Sequence, residues 1–140
     1  MTETMKPIEV KHHGAVNGVT GSCHELRVDD DNGILIDCGL FQGAENSGKG
    51  ANAAELAIEF PVDHVRALVV THVHIDHVGR IPYLLAAGFS GAIYCTPPSA
   101  KLLPLVLEDA LKIGVTRNKP LIRRVMARLE RMIRPVPFGQ

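Results

Sequence analysis

Residues 71–80 read THVHIDHVGR, and His72, His74, Asp76 and His77 fall within six positions of one another. They follow the apolar run Ala67-Leu68-Val69-Val70, which reads as a strand buried on both faces. Side chains two apart at a strand end point to the same side. The His72 and His74 imidazoles can therefore approach one metal ion. Asp76 and His77 come next, where the chain turns into a helix, and can serve a second ion beside the first. Imidazole with carboxylate suits zinc, and also manganese or iron. Two ions about 3.5–4 Å apart can activate water and clamp both sides of a displacement at phosphorus or at a carbonyl carbon. The competing reading is a histidine-rich polar surface loop, although ending a strand requires no imidazole. The isolated His12, His13, His24 and His64 are read as structural or solvent-facing.

The elements that must position this loop can be read along the chain. Residues 8–11, 22–28, 34–38, 66–71 and 92–95 read as strands. Asp30-Asp31-Asn32-Gly33 reads as a hairpin turn, since Asn and Gly accept positive φ. Residues 39–51 are rich in Gly, Asn and Ser and read as a loop, and 53–58 as a short helix. A helix is expected over 77–87, with Pro82 tolerated in its first turn and Gly88 as its stop. Thr96 is placed to cap a further helix that starts at Pro97-Pro98 and runs to Ile113, with Pro104 as a kink point. The clearest periodic signal is Leu121, Ile122, Val125, Met126, Leu129, Met132 and Ile133. It marks an amphipathic helix over about 118–134, ended by Pro135. A hairpin region followed by β, α, β, α gives a mixed α/β plan, helices covering a sheet.

Composition sets limits on this plan. A chain of 140 residues makes one domain at most. It has no Trp, two Tyr and four Phe, so its core must be aliphatic. No apolar run approaches a membrane span, and MTETMKPIEV lacks the apolar stretch of a signal peptide. A cytoplasmic protein with no membrane partner is expected. Cys23, Cys38 and Cys95 show no C-x-x-C spacing and read as buried thiols. The net charge is zero, but residues 117–140 hold seven bases and one acid, Glu130. Arg123, Arg124, Arg128 and Arg131 on this last helix are candidate contacts to RNA phosphates. The alternative is the solvated face of an ordinary amphipathic helix, and the segment lacks aromatic residues for base stacking.

T-H-V-H-I-D-H at 71–77 resembles the H-x-H-x-D-H signature of the metallo-β-lactamase superfamily. V-T-G-S-C-H at 19–24, I-L-I-D-C-G-L-F-Q-G at 34–43, G-R-I-P-Y-L at 79–84 and I-Y-C-T-P at 93–97 are similar to its β-CASP branch. That branch includes RNA-processing nucleases. The resemblance covers roughly residues 8–113, and weakly 134–139. It implies a partial αββα fold, first half only, with residues 1–140 as the N-terminal portion of the domain. It implies His72 and His74 as ligands of a first zinc ion, and Asp76 and His77 as ligands of a second and as catalytic residues. Asp37 corresponds to an aspartate that supports the metal loop by hydrogen bonding. The family's further ligands come later than Gln140, so each of two ions would have two protein ligands here, against three in an ordinary catalytic zinc site. His12, His13 or a second chain would have to supply more. The half-sheet would leave apolar surface exposed, which points to self-association or a partner chain.

The function implied is metal-dependent hydrolysis, RNA phosphodiester cleavage in RNA processing, incomplete in the isolated chain. The alternatives are a non-catalytic metal- or RNA-binding or assembly module derived from that fold, and another superfamily hydrolase such as a thioesterase.

Overall fold

The computed structural model describes residues 5–41 and 56–140. Its strands form one mixed sheet in the order β1 (Glu9–His12), β2 (His24–Arg27), β3 (Gly33–Ile36), β4 (Val65–Val69), β5 (Ala92–Cys95) and β6 (Ile133–Pro135). The first three strands pair antiparallel, and β3 to β6 pair parallel. The helices are α1 (Ile75–Val78), α2 (Ile81–Ala86), α3 (Pro97–Gly114) and α4 (Lys119–Met132). This is the mixed α/β plan expected. The expected loop at 39–51 and helix at 53–58 lie largely outside the described residues.

Local chemistry explains where the elements depart from expectation. The β2–β3 turn is built by Asp29, not by Asn32 and Gly33 at positive φ. The Asp29 carboxylate accepts from the Asp31 amide at 2.8 Å and from Asn32 Nδ2 at 2.9 Å, an Asx-type turn. The helix expected over 77–87 is two helices. Pro82 has no N–H for a bond back to Val78, so a continuous helix would lose a rung there; the chain breaks at Gly79-Arg80 and restarts. Gly88 ends α2 as expected, at φ 108. Its amide bonds Leu85 O and the Phe89 amide bonds Leu84 O, a Schellman arrangement. Thr96 caps α3 by accepting from the Ser99 amide, and α3 continues through Pro104. The last helix stops at Met132 because Arg134 precedes Pro135 and is restricted to extended backbone. Ile133 is already extended, and the segment pairs with β5 as β6.

The core lies on one face of the sheet. Leu35, Leu68 and Ile93 are cross-strand neighbours and are all fully buried. They join Val78, Ile81 and Leu84 from the short helices, Leu103, Leu107 and Leu111 from α3, and Ile122, Met126 and Leu129 from α4. The adjacent rows, Ile34-Ala67-Ala92 and Ile36-Val69-Tyr94, stay half-buried or exposed. β4 is therefore fully buried on one face only, not on both. Among the described residues, Tyr94 is exposed on the second face, and Ile34, Ile36 and Val69 are half-buried there.

Arg128 corrects the list of surface arginines. It is half-buried, and its guanidinium donates to Phe89 O at 3.0 Å and Leu85 O at 3.5 Å. A cation here ties α4 to the carbonyl end of α2, where the helix dipole favours it. Arg123, Arg124 and Arg131 are exposed. Arg128→Ala is expected to lower stability by about 1–3 kcal/mol in chemical denaturation, the scale of hydrogen bonds to a charged group. Arg124→Ala should change it by less than about 0.5 kcal/mol. Equal effects would refute the structural role given to Arg128.

Candidate metal centre

The loop with the histidines is held by the chain that leaves β3. Residues 37–40 run beside residues 69–80 and exchange backbone bonds with them. The Asp37 amide donates to Val69 O, that of Cys38 to His77 O, that of Leu40 to Ile75 O, and that of Arg80 to Cys38 O. The Ser22 amide adds a bond to Asp76 O at 3.0 Å. Gly39 is required here: a Cβ on it would lie 1.6 Å from Asp76 O. Two backbones thus approach as closely as only glycine permits.

Asp37 sits at φ 63, in the left-handed region that Asp tolerates better than most residues. The turn swings its carboxylate under the loop, where it is 2% exposed. One oxygen accepts from the Thr71 amide at 2.8 Å. The other accepts from the Thr71 hydroxyl at 2.7 Å and from His77 Nδ1 at 2.7 Å. The Thr71 hydroxyl, having donated its proton to Asp37, accepts from His72 Nδ1 at 3.1 Å. A single carboxylate therefore sets two tautomers, one directly and one through a hydroxyl. In the neutral rings Nε2 of both His72 and His77 keeps its lone pair, the form that binds a metal.

The structure brings together the residues the sequence singled out. The His72 ring lies 4.8 Å from that of His74 and 4.0 Å from that of His77, centroid to centroid. Asp76 Oδ2 is 3.5 Å from His77 Nε2. His74 is exposed and the other three are half-buried, so the group opens to solvent. In donor chemistry the set suits zinc. In number it falls short: among the described residues, no three His, Cys, Asp or Glu side chains are placed to hold one ion.

Neither His12 nor His13 makes up the shortfall. His13 Nε2 bonds Glu25 at 2.9 Å and its ring stacks on Phe60. His64 bonds the other oxygen of Glu25 at 2.8 Å. Burial alone would raise the Glu25 carboxyl, but the bonds from His13 and His64 outweigh it and hold it below the usual range. His12 faces His24 across the β1–β2 pair, Nδ1 to Nδ1 at 2.8 Å. Burial first, then the neighbouring His12, pushes His24 below the usual histidine range. Cys23, Cys38 and Cys95 are free and buried.

Two residues at the site were not singled out by sequence. Thr71 precedes the first histidine, and only its hydroxyl marks it as a relay. Arg80 follows the loop and is buried, though an arginine entering a helix reads as surface.

The sequence matches the metallo-β-lactamase superfamily over residues 16–137, and the chain belongs to that superfamily. Its relatives are those of the β-CASP branch. It is 42% identical over 100 residues to the ribonuclease TTHA0252 of Thermus thermophilus, covering 71% of this chain and 22% of that protein. It is 34% identical over 115 residues to the transcription termination factor FttA of Methanosarcina mazei, covering 81% and 17%. It is 31% identical over 107 residues to the cleavage and polyadenylation specificity factor subunit 3-II of Arabidopsis thaliana, covering 75% and 17%. The chain spans about a fifth of the length of these relatives.

Asp37→Asn keeps an acceptor for the Thr71 amide but cannot accept from both Thr71 Oγ and His77 Nδ1. Its expected cost is about 1–3 kcal/mol, that of leaving buried partners unpaired. Nitrogen-15 NMR of the histidine rings should show His77, and to a lesser degree His72, losing its single tautomer. Unchanged ring signals would refute the role assigned to Asp37.

Proposed function

We propose that this chain carries the first half of a two-metal centre in a hydrolase that cleaves RNA phosphodiester bonds. Residues 1–140 form the N-terminal portion of its metallo-β-lactamase-like domain. The observation that supports this most is the Asp37–Thr71 brace, which leaves Nε2 of His72 and His77 free beside His74 and Asp76. The relatives support RNA as the substrate class, since they include a ribonuclease and a cleavage and polyadenylation specificity factor subunit.

In this reading His72 and His74 hold one zinc ion, and Asp76 and His77 hold a second. When bound, such ions act as Lewis acids that make water a nucleophile at neutral pH and offset charge at phosphorus. The chain's own residues do the positioning. Asp37 fixes the ring of His77 directly and that of His72 through Thr71. The backbone bonds from Ser22 and Cys38 hold Asp76 and His77 at the end of the sheet. Arg123, Arg124 and Arg131 offer exposed cations to RNA phosphates. A cytoplasmic setting fits the free cysteines, and among the described residues no helix is long and apolar enough to cross a membrane.

A second reading is a non-catalytic metal- or RNA-binding or assembly module, since among the described residues no three donors are placed to hold one ion. Incubation of the chain with single-stranded RNA and zinc separates the two. Metal-dependent cleavage is expected, slow because this chain supplies only the first half of the centre, and falling by on the order of 100-fold or more in Asp76→Asn, as for loss of a catalytic group. Zinc-dependent RNA binding without cleavage would select the second reading. Thioester hydrolysis without RNA cleavage would contradict both.

A further inference from the structure

Beside the metal loop lies a cavity that the proposed reaction leaves unused. Its volume is about 210 Å³, and its lining includes His13, Gly14, Ala15, Gly21, Gly39 and Arg80. That is below the roughly 300–1,000 Å³ of sites for drug-sized ligands, so it suits one compact group. Arg80 is 8% exposed. A buried cation is costly unless it is paired. Yet among the described residues no carboxylate forms an ion pair with it. Its Nε donates to Gly39 O at 2.6 Å, and Nη1 reaches Ala57 O at 3.4 Å. Nη2 makes no hydrogen bond among the described residues, and the Arg80 side chain lines the cavity.

We infer that this cavity is a subsite for a phosphate-class oxyanion, with Arg80 as its cation. A guanidinium presents paired N–H groups that match two oxygens of one phosphate. The wall facing it carries a strained residue, Ala15 at φ 55. Such backbone strain costs about 1–3 kcal/mol and gathers at ligand clamps. Glu59 also lines the cavity, but it is exposed and its charge is screened by solvent. The subsite adjoins the metal loop through shared backbone. Gly39 packs on Asp76 O, and the Arg80 amide bonds Cys38 O next to Asp37. The cavity is thus joined to the metal loop through the backbone of Cys38, Gly39 and Arg80. On the proposed function, the oxyanion is a phosphate of the bound RNA. This identification rests on the proposed function, whereas the oxyanion subsite rests on Arg80 alone.

The test is a titration of the chain with inorganic phosphate at constant ionic strength, followed by proton–nitrogen NMR. Saturable shifts are expected at Gly14, Gly21 and the Arg80 Nε, with none from chloride. Arg80→Met should weaken phosphate binding about 10–100-fold, the scale of charged hydrogen bonds. Arg80→Lys should fall between, because it keeps the charge and loses the fork. Circular dichroism checks the fold of each variant, and the titration of the unaltered chain stands by itself if Arg80→Met does not fold. Shifts confined to His72, His74 and His77, equal shifts from chloride, or full binding by folded Arg80→Met would overturn the subsite. A dinucleotide phosphodiester should compete with phosphate. Failure to compete would overturn the assignment to RNA. Phosphate binding at Arg80 in a chain that never cleaves RNA would count against the proposed function and not against the subsite.

Discussion

The Asp37 carboxylate accepts three hydrogen bonds at 2.7–2.8 Å, two from Thr71 and one from His77. The arrangement of the metal loop depends on them. Without an acceptor beneath it, the loop would bring three imidazoles together with nothing to set which nitrogen carries the proton. With it, His72 and His77 present the same nitrogen outward. The brace in turn requires the left-handed turn at Asp37, the parallel pairing of β3 with β4 that brings residue 37 beside residue 71, and a glycine at 39 to let the backbones meet. Sheet pairing, one unusual φ and one missing Cβ therefore converge on a single carboxylate.

The rest of the molecule is consistent with a fold built to support that edge and left open elsewhere. The helices bury the row Leu35-Leu68-Ile93, while the rows on either side of it remain partly exposed. Buried polar groups near the site are satisfied in pairs and trios: Glu25 with His13 and His64, Asp37 with Thr71 and His77. Arg80 is the exception. Among the described residues its side chain has carbonyl partners only, and it lies where the loop, the turn after β3 and the segment after β1 meet.

Much of this was legible in the sequence, because it rests on local pattern. The histidine spacing after an apolar run located the loop, Gly88 located a helix end, and the period from Leu121 to Ile133 located α4. What could not be read depends on contacts between distant residues. Thr71 is one hydroxyl among many until Asp37, thirty-four residues earlier, lies beneath it. Arg128 has the spacing of a surface arginine, yet it reaches the carbonyl end of α2. β6 is three residues long and includes a proline, so it has no alternation to recognise, and only pairing with β5 makes it a strand. The hairpin turn lies where Asp30–Gly33 reads as one, but Asp29 builds it, because a side-chain acceptor can form a turn without positive φ.

The brace leaves Nε2 of His72 and His77 available for the metal proposed above, with no three donors placed to hold one ion among the described residues. Zinc titration of the purified chain, with bound metal measured by elemental analysis, tests it most directly. Saturable zinc binding is expected, perturbing Nε2 of His72 and His77 and weakening by about 10–100-fold in Asp37→Asn, the usual cost of losing the group that orients a metal ligand. Absence of saturable binding, or binding indifferent to Asp37, would contradict it.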